Sequence, residues 1–379
     1  MKKSNTKDTV LLSLTIFSMF FGAGNLIFAP YLGAQAGSSA WLALAGFVIT
    51  AVVIPISAIL IISRYKSAQD MIGTINKPFA AVFLALIYLL IGPCIAIPRT
   101  ASLSFEMFDW LFSSSLMARL IYTLIFFAAA SLTAYKPGRL KDILGKVMGP
   151  ILLILIVSVC IGASFQTGSI SAPSSTYSRS PFFVGFDQGY QTMDILAAYC
   201  FGIIIMMNIK QMHLSSAKEE NALFVKASIL AGVFLASIYT MLAFTGMSHS
   251  GTLSLLSNGA QILSTLSLQV FGEAGQWINS LIFLIACFNV CSGLLSCCSA
   301  YFHELFPKIS YRIWLAAFAI AGAVAASFGL DAILALSAPV LSFICPIAVI
   351  LLIYGLTRSI LVEKGILKKE KIKTPAAKA

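Results

Sequence analysis

The sequence predicts an all-α, polytopic membrane protein of ten transmembrane helices, and three observations predict it. Of the 379 residues, 59% are hydrophobic and only 10% charged, where a soluble domain carries about a quarter charged residues. The apolar residues gather into runs that match the about 20 residues needed to cross a bilayer core. The basic residues fall in alternate connections between those runs. A formal net charge of +11 would point to nucleic acid in a soluble protein. Here it reads as a topological address, with no nucleic-acid partner and the lipid bilayer as surroundings.

The expected spans, in order, are Val10–Ala36, Ser39–Ser63, Phe79–Pro98, Met117–Tyr135 and Ile143–Phe165, then Tyr190–Ile209, Ala222–Met247, Trp277–Ser299, Tyr311–Leu330 and Ile333–Leu356. Each is an apolar run cut at charge clusters or turn residues. Residues 166–189 are rich in Ser, Pro and Gly and read as a loop, and Asn258–Phe271 as a short amphipathic helix at the interface. Counting Lys and Arg in alternate connections places 22 of the 25 on one side, leaving Arg99, Arg119 and Arg179 on the other. The positive-inside rule then puts both termini in the cytoplasm, which an even number of spans requires. No cleavable signal peptide is expected, because the first apolar run continues through Gly24.

The cysteines exclude little. Cys94, Cys160, Cys200, Cys287, Cys291, Cys297, Cys298 and Cys345 all lie in apolar runs without paired ligand spacing, so they read as small packing residues. An intramembrane enzyme is not expected. It would need paired buried carboxylates or an H-E-x-x-H or G-x-S-x-G motif, and none is present. His213 and His303 fall in loops on the basic side and His249 on the other.

The first span reads Phe17-Ser18-Met19-Phe20-Phe21-Gly22-Ala23-Gly24-Asn25-Leu26-Ile27-Phe28-Ala29-Pro30. Two glycines and an asparagine at mid-depth weaken a helix that lipid should force to be continuous. Close packing through small residues explains them. So does a discontinuous helix, whose exposed N–H groups face an anion and whose freed carbonyls face a cation. The sixth span, through Thr192-Met193-Asp194-Ile195-Leu196-Ala197-Ala198-Tyr199-Cys200-Phe201-Gly202, is the candidate partner five spans later.

Three motifs in order make the residues recognisable: Ser18 to Pro30; Gly92-Pro93-Cys94-Ile95-Ala96-Ile97-Pro98-Arg99-Thr100-Ala101 with Ser104-Phe105-Glu106; and Gly189-Tyr190-Gln191-Thr192-Met193-Asp194. Over essentially the whole chain the sequence resembles the branched-chain amino acid:cation symporter family. The resemblance implies a leucine-transporter-type fold of two inverted five-helix repeats, residues 1–165 and 166–360, with broken first and sixth helices and a basic cytoplasmic tail over 361–379. It implies cation-driven import of leucine, isoleucine and valine across a bacterial-type cytoplasmic membrane.

For a zwitterionic aliphatic substrate the same resemblance implies a site between the two breaks. The N–H groups of Ala23 and Gly24, beside Asn25, hold the carboxylate. Carbonyls near Phe20, Ile195 and Ala198 hold the ammonium, and Phe201 surrounds the side chain. Each methylene is worth only about 1 kcal/mol, so discrimination among the three substrates should be weak. A sodium ion is implied as coupling ion, on oxygens mapping to Ser18, Phe21 and Ala286 and a hydroxyl pair on the eighth span. Relatives commonly carry Thr-Thr there, and this chain has Asn289-Val290. Asn289 offers a carbonyl oxygen and Val290 none, with Ser292 or water to fill the gap.

Lys146 offers an ammonium that would replace the ion, giving proton-coupled or uncoupled transport; a snorkelling interfacial lysine is the plainer reading. Arg99 ends the third span about 30 Å from its start, and Asp194 opens the sixth. With Glu106 as a competitor for Arg99, they are expected to form or orient an outer gate. Family members usually carry two more helices after the tenth, so a non-transporting sensor or a truncated inactive relic stays open beside the transporter.

Overall fold

The computed structural model describes residues 5–65, 67–112, 115–136, 140–212, 214–364 and 366, without the side chains of Ile203 and Asp331. Lys2, Lys3, Lys66, Arg139, His213 and the basic tail from 367 onward lie outside the described residues. All regular structure among the described residues is helical.

The chain opens with α1 (Thr6–Phe20), started by Asn5 and Asp8, each side chain bonding the other's backbone N–H. It is 15 residues long, about 23 Å, and cannot cross a core of about 30 Å alone. After a two-residue break, α2 (Ala23–Ala36) continues. A single 3₁₀ turn over Gly37–Ser39 then reverses the chain into α3 (Ala40–Val48), which runs through a π turn, Ile49–Val53, into α4 (Ile54–Ser63). Gly37 has φ +47° and a Cβ there would strike the Ser171 carbonyl, so glycine is required at this reversal.

The short α5 (Ala68–Gly73) leads to α6 (Lys77–Leu89), a π turn over Leu90–Cys94 and α7 (Ala96–Glu106). Next come α8 (Asp109–Phe112), α9 (Leu116–Ala134), a π-helical stretch over Lys141–Met148 and α10 (Gly149–Ser164). Residues 166–189, read from composition as a loop, contain α11 (Ser175–Arg179) and most of α12 (Pro181–Tyr190). In α12, Phe182, Phe186 and Tyr190 recur every fourth residue and pack in series, the first pair stacked and the second edge to face, a helical stripe that the Ser- and Pro-rich segment before it conceals.

The second half holds α13 (Asp194–Lys210), α14 (Ala217–Ser248), α15 (Ser250–Leu253), α16 (Gly259–Phe271), α17 (Glu273–Leu305), α18 (Tyr311–Ala326) and α19 (Leu330–Glu363). Helix α16 is the expected short amphipathic one, capped by Asn258, whose Oδ1 accepts from the Gln261 N–H at 3.0 Å. Among the described residues seven helices are long and apolar enough to cross a membrane, and eight when the bent pair Pro181–Gly202 and Ile204–Lys210 counts as one span. One of the seven, Ala23–Ser63, has 41 residues, about 60 Å of helix and twice the core thickness. The protein is therefore an all-α, multi-pass membrane protein. The eight cysteines are free thiols, seven of them buried and Cys94 exposed.

Helices in lipid gain little from apolar burial, so close approach through small residues holds them together. Two reciprocal pairs do this. A Cβ on Gly33 of α2 would strike the Ala243 carbonyl of α14, and one on Gly246 of α14 would strike the Pro30 carbonyl of α2. Gly46 of α3 meets the Phe182 carbonyl, and Gly185 of α12 meets the Ala43 carbonyl. Because the obstacle in each case is backbone, Gly246→Leu should cost about 3 kcal/mol or more. The check is thermal unfolding in detergent. Gly73→Ala, where a Cβ meets nothing nearer than 3.9 Å, should melt with the parent.

Candidate functional site

The site is built on two places where the backbone leaves the helical path inside the protein. At the first, α1 ends with the Phe21 N–H on the Phe17 carbonyl, and Gly22 is extended at φ −132°, ψ −157°. The Asn25 side chain then turns back and its Oδ1 accepts from the Gly22 N–H at 2.8 Å. The Leu26 N–H reaches the Gly22 carbonyl at 3.2 Å as the first bond of α2. The N–H groups before it, those of Ala23 and Gly24 among them, have no acceptor within the helix.

At the second break, α12 ends at Tyr190 and α13 begins at Asp194. Between them Met193 has φ 69°, the one non-glycine residue with positive φ among those described, a conformation that costs energy for a side chain. Bonds hold it there: Met193 N–H to the Tyr190 carbonyl at 3.1 Å, Thr192 Oγ1 to the Gly189 carbonyl at 2.8 Å, and Arg99 Nη1 to the Gln191 carbonyl at 3.3 Å. Arg99 reaches this point because α7 starts after a kink, where Gly92 has ψ −117° next to Pro93.

A polar triangle joins the breaks. Asn25 Nδ2 donates to Asp194 Oδ2 at 2.7 Å and to the Tyr239 hydroxyl, and that hydroxyl donates to Asp194 Oδ2 at 3.3 Å. All three side chains are buried. Arg99 and Asp194 are each 3% exposed; they lie inside the protein rather than at its rim, and no salt bridge joins them among the described residues. The Arg99 guanidinium instead faces Phe28, 5.6 Å from the ring centre, and covers Gly24, where a Cβ would strike its Nη2.

A narrow cavity, with about 30 Å3 of room for the centre of a water-sized sphere, opens between the breaks. Phe20, Ala23, Gly24, Asn25, Arg99 and Asp194 line it, which brings together six of the residues singled out from sequence. Met19, Ile91, Ala96, Ala197, Val290 and Leu294 supply an apolar wall that sequence reasoning missed, and Gly22, Thr100, Thr192 and Met193 complete it. Ile195, Ala198 and Phe201 are buried but are not on the cavity wall; Phe201 lies behind Phe20, ring centres 5.0 Å apart and edge to face. Glu106 is the last residue of α7, about 10 Å beyond Arg99. Tyr239 was also missed. Its signal is a phenol in mid-span, which needs a partner once buried.

The expected ion ligands sit on neighbouring helices. Ser18 Oγ donates to the Leu144 carbonyl at 3.3 Å, and Phe21 stacks on Phe17 and Tyr239 at 5.1 and 5.8 Å. Ala286, Asn289 and Ser292 are fully buried on α17. Asn289 Oδ1, Asn289 Nδ2 and Ser292 Oγ have no hydrogen-bond partner among the described residues, an expense in a membrane interior that an oxygen-seeking cation would relieve for the two oxygens. Val290 packs on Gly22, where a Cβ would strike its Cγ2. Lys146 is 57% exposed and pairs with Asp142 at 2.5 Å. No group of three or more His, Cys, Asp or Glu placed to hold a metal occurs among the described residues. A second cavity, with about 50 Å3 of room for the centre of a water-sized sphere, lies toward the other end of α13, lined by Tyr88, Tyr199, Phe224, Tyr301 and Glu304 with Ser63 and Gln69.

Comparison with known proteins follows the same outline. Residues 5–375 match the family model described as branched-chain amino acid transport protein. The chain is 38% identical over 365 residues to the branched-chain amino acid permease BrnQ of Bacillus subtilis (strain 168), covering 95% of this chain and 83% of that one. It is 34% identical over 363 residues to the permease BraB of the same organism, covering 94% and 82%. Among solved structures it is similar to MhsT in complex with L-phenylalanine, with TM-score 0.57, 15% identity, and 93% and 89% of the two chains covered. It is also similar to Mhp1, a nucleobase-cation-symport-1 family transporter, in a closed conformation, with TM-score 0.59, 13% identity, and 91% and 77% covered. At these identities the structural likeness shows the fold.

The triangle predicts an order of damage. Tyr239→Phe removes one donor from a buried carboxylate and should cost about 1.5–3 kcal/mol. Asn25→Leu removes a donor from Asp194 and the acceptor of the Gly22 N–H, and should cost more. Thermal unfolding of the purified variants checks this, and equal or reversed losses would contradict the arrangement.

Proposed function

The chain belongs to the family of branched-chain amino acid transport proteins, a secondary transporter and not an enzyme, and from that premise we propose that it imports leucine, isoleucine and valine by symport with sodium. The observation that carries the reading is the cavity between the two breaks, with free helix N–H groups and buried charges at one side and aliphatic side chains at the other. A dry pocket with a few convergent polar groups suits a small zwitterion with an apolar side chain.

In this reading ten spans form two inverted repeats, residues 1–165 and 166–360, with both termini cytoplasmic in a bacterial-type membrane. The Ala23 and Gly24 N–H groups, with Asn25, hold the carboxylate. Carbonyls near Phe20, Ile195 and Ala198 hold the ammonium, and Phe20, with Phe201 behind it, bounds the side-chain pocket. Arg99 and Asp194 close the site from outside, and Glu106 at the outer end of α7 competes for Arg99 as it opens. The cavity lined by Tyr88 and Tyr301, whose rings stack 4.0 Å apart, lies toward the cytoplasm and is the exit. Sodium, as co-substrate, takes oxygens of Ser18, Phe21, Ala286, Asn289 and Ser292; the orphaned Asn289 and Ser292 atoms support that set.

Uptake and counterflow of labelled leucine in proteoliposomes test the function. Sodium-driven accumulation, competed by isoleucine and valine within about tenfold of one another, is the expected result. Unchanged uptake with potassium in place of sodium rejects sodium coupling, and binding without counterflow rejects transport. Asn289→Ala removes one oxygen from the ion set. It should raise the sodium concentration for half-maximal uptake about tenfold, and an unshifted sodium dependence rejects Asn289 as a ligand.

A further inference from the structure

Two opposite charges lie buried in one cavity without touching each other, and the transport reading above leaves that unexplained. Asp194 is bonded through its side chain by the Asn25 amide and the Tyr239 hydroxyl, both neutral donors. Arg99 has five N–H donors to place, and the structure shows one of them accepted, by the Gln191 carbonyl. Its Nη2 lies over Gly24 at the N-terminus of α2, beside N–H groups that have no acceptor within the helix. A guanidinium and a helix N-terminus thus converge on one point with no carboxylate in salt-bridge contact with the guanidinium among the described residues.

An ion pair would be the cheapest arrangement for two such groups in a membrane protein. Each is instead held apart, Arg99 by the Gln191 carbonyl and the Phe28 face, Asp194 by the triangle. We propose that Arg99 and Asp194 are the two counter-charges of the transported amino acid, Arg99 binding its α-carboxylate and Asp194 its α-ammonium, so that the cavity selects zwitterions. This rests on the amino acid transport reading and adds two direct ligands to it. The substrate bridges the gap between the charges, and closing the site and recognising the ligand become one event. A ligand carrying one charge leaves the other protein charge buried without a partner, a loss of about a hundredfold or more in affinity.

The test is a cycle between variants and trimmed ligands, using the full chain reconstituted in vesicles. Displacement of labelled leucine is measured for leucine, for 3-methylbutylamine, which lacks the carboxylate, and for 4-methylpentanoate, which lacks the ammonium. Arg99→Gln should weaken leucine and 4-methylpentanoate about a hundredfold and leave 3-methylbutylamine within about threefold. Asp194→Asn should weaken leucine and the amine and spare the acid. If each variant weakens all three ligands by the same factor, the two residues only shape or close the site and the proposal falls. Should Arg99→Gln fail to fold, as read by its melting temperature, Arg99→Lys keeps the charge and should hold leucine within about tenfold; a loss as large as for an uncharged residue overturns the carboxylate contact. If the parent protein binds no leucine, the transport reading fails and takes this one with it. Leucine counterflow with uniform losses in the cycle sinks this inference alone.

Discussion

The constraint on which the structure depends is that a backbone inside a bilayer must find partners for every N–H and carbonyl. Both breaks violate it and both are repaired by side chains close at hand. Asn25 satisfies Gly22 and at the same time donates to Asp194, so one residue closes the first break and ties it to the second. Arg99 does the matching work on the Gln191 carbonyl. The N–H groups of α2 that remain open face the cavity rather than lipid, which is where irregular backbone is tolerated at membrane depth. A binding site and a pair of unwound helices are then one feature seen from two sides.

Around those openings the framework is assembled by backbone contact. The pairs Gly33 with Gly246, and Gly46 with Gly185, let α2 lie on α14 and α3 on α12 without intervening side chains. Where α1 faces α17 and α13 the contacts are side chains: Met19 against Gly293, Phe20 against Phe201, Val290 against Gly22. Contacts of the first kind resist sliding, because the obstacle is a main chain. Those of the second kind can repack through rotamer changes. The distribution places the adaptable surfaces around the cavity and the rigid ones behind it.

What could be read in the sequence follows this division. The first break was legible in Gly22-Ala23-Gly24-Asn25 as one of two readings, close helix packing through small residues being the other. The second carries no such mark: Met193 takes the left-handed conformation that a glycine would signal, so the sixth span was a candidate only by its place five spans after the first and by family resemblance. Helix α12 was hidden because composition was dominated by the serines and prolines before it, while its aromatic four-residue spacing covered little more than two turns. The apolar wall of Ile91, Val290 and Leu294 was not legible at all, since nothing in a run of aliphatic residues tells which one faces a cavity. Arg99 was placed at the membrane edge by counting helical rise, a count that assumes a straight helix. The kink at Gly92 and Pro93 and the π turn around it depart from a straight helix, and the guanidinium is buried in the protein.

The pair Asn289 and Val290 shows how one departure from a family pattern can serve two sites. A second hydroxyl at 290 would add an oxygen for an ion, but this side chain is pressed against Gly22 and forms part of the cavity wall. A branched aliphatic group there makes that part of the wall apolar. The neighbouring Asn289 holds an amide whose oxygen and nitrogen are both buried without partners, a cost that packing alone does not repay. Apolar contact at one position and unsatisfied polarity at the next assign the two residues to different tasks. Position 290 lines the cavity, and position 289 carries buried polar atoms that no described residue satisfies.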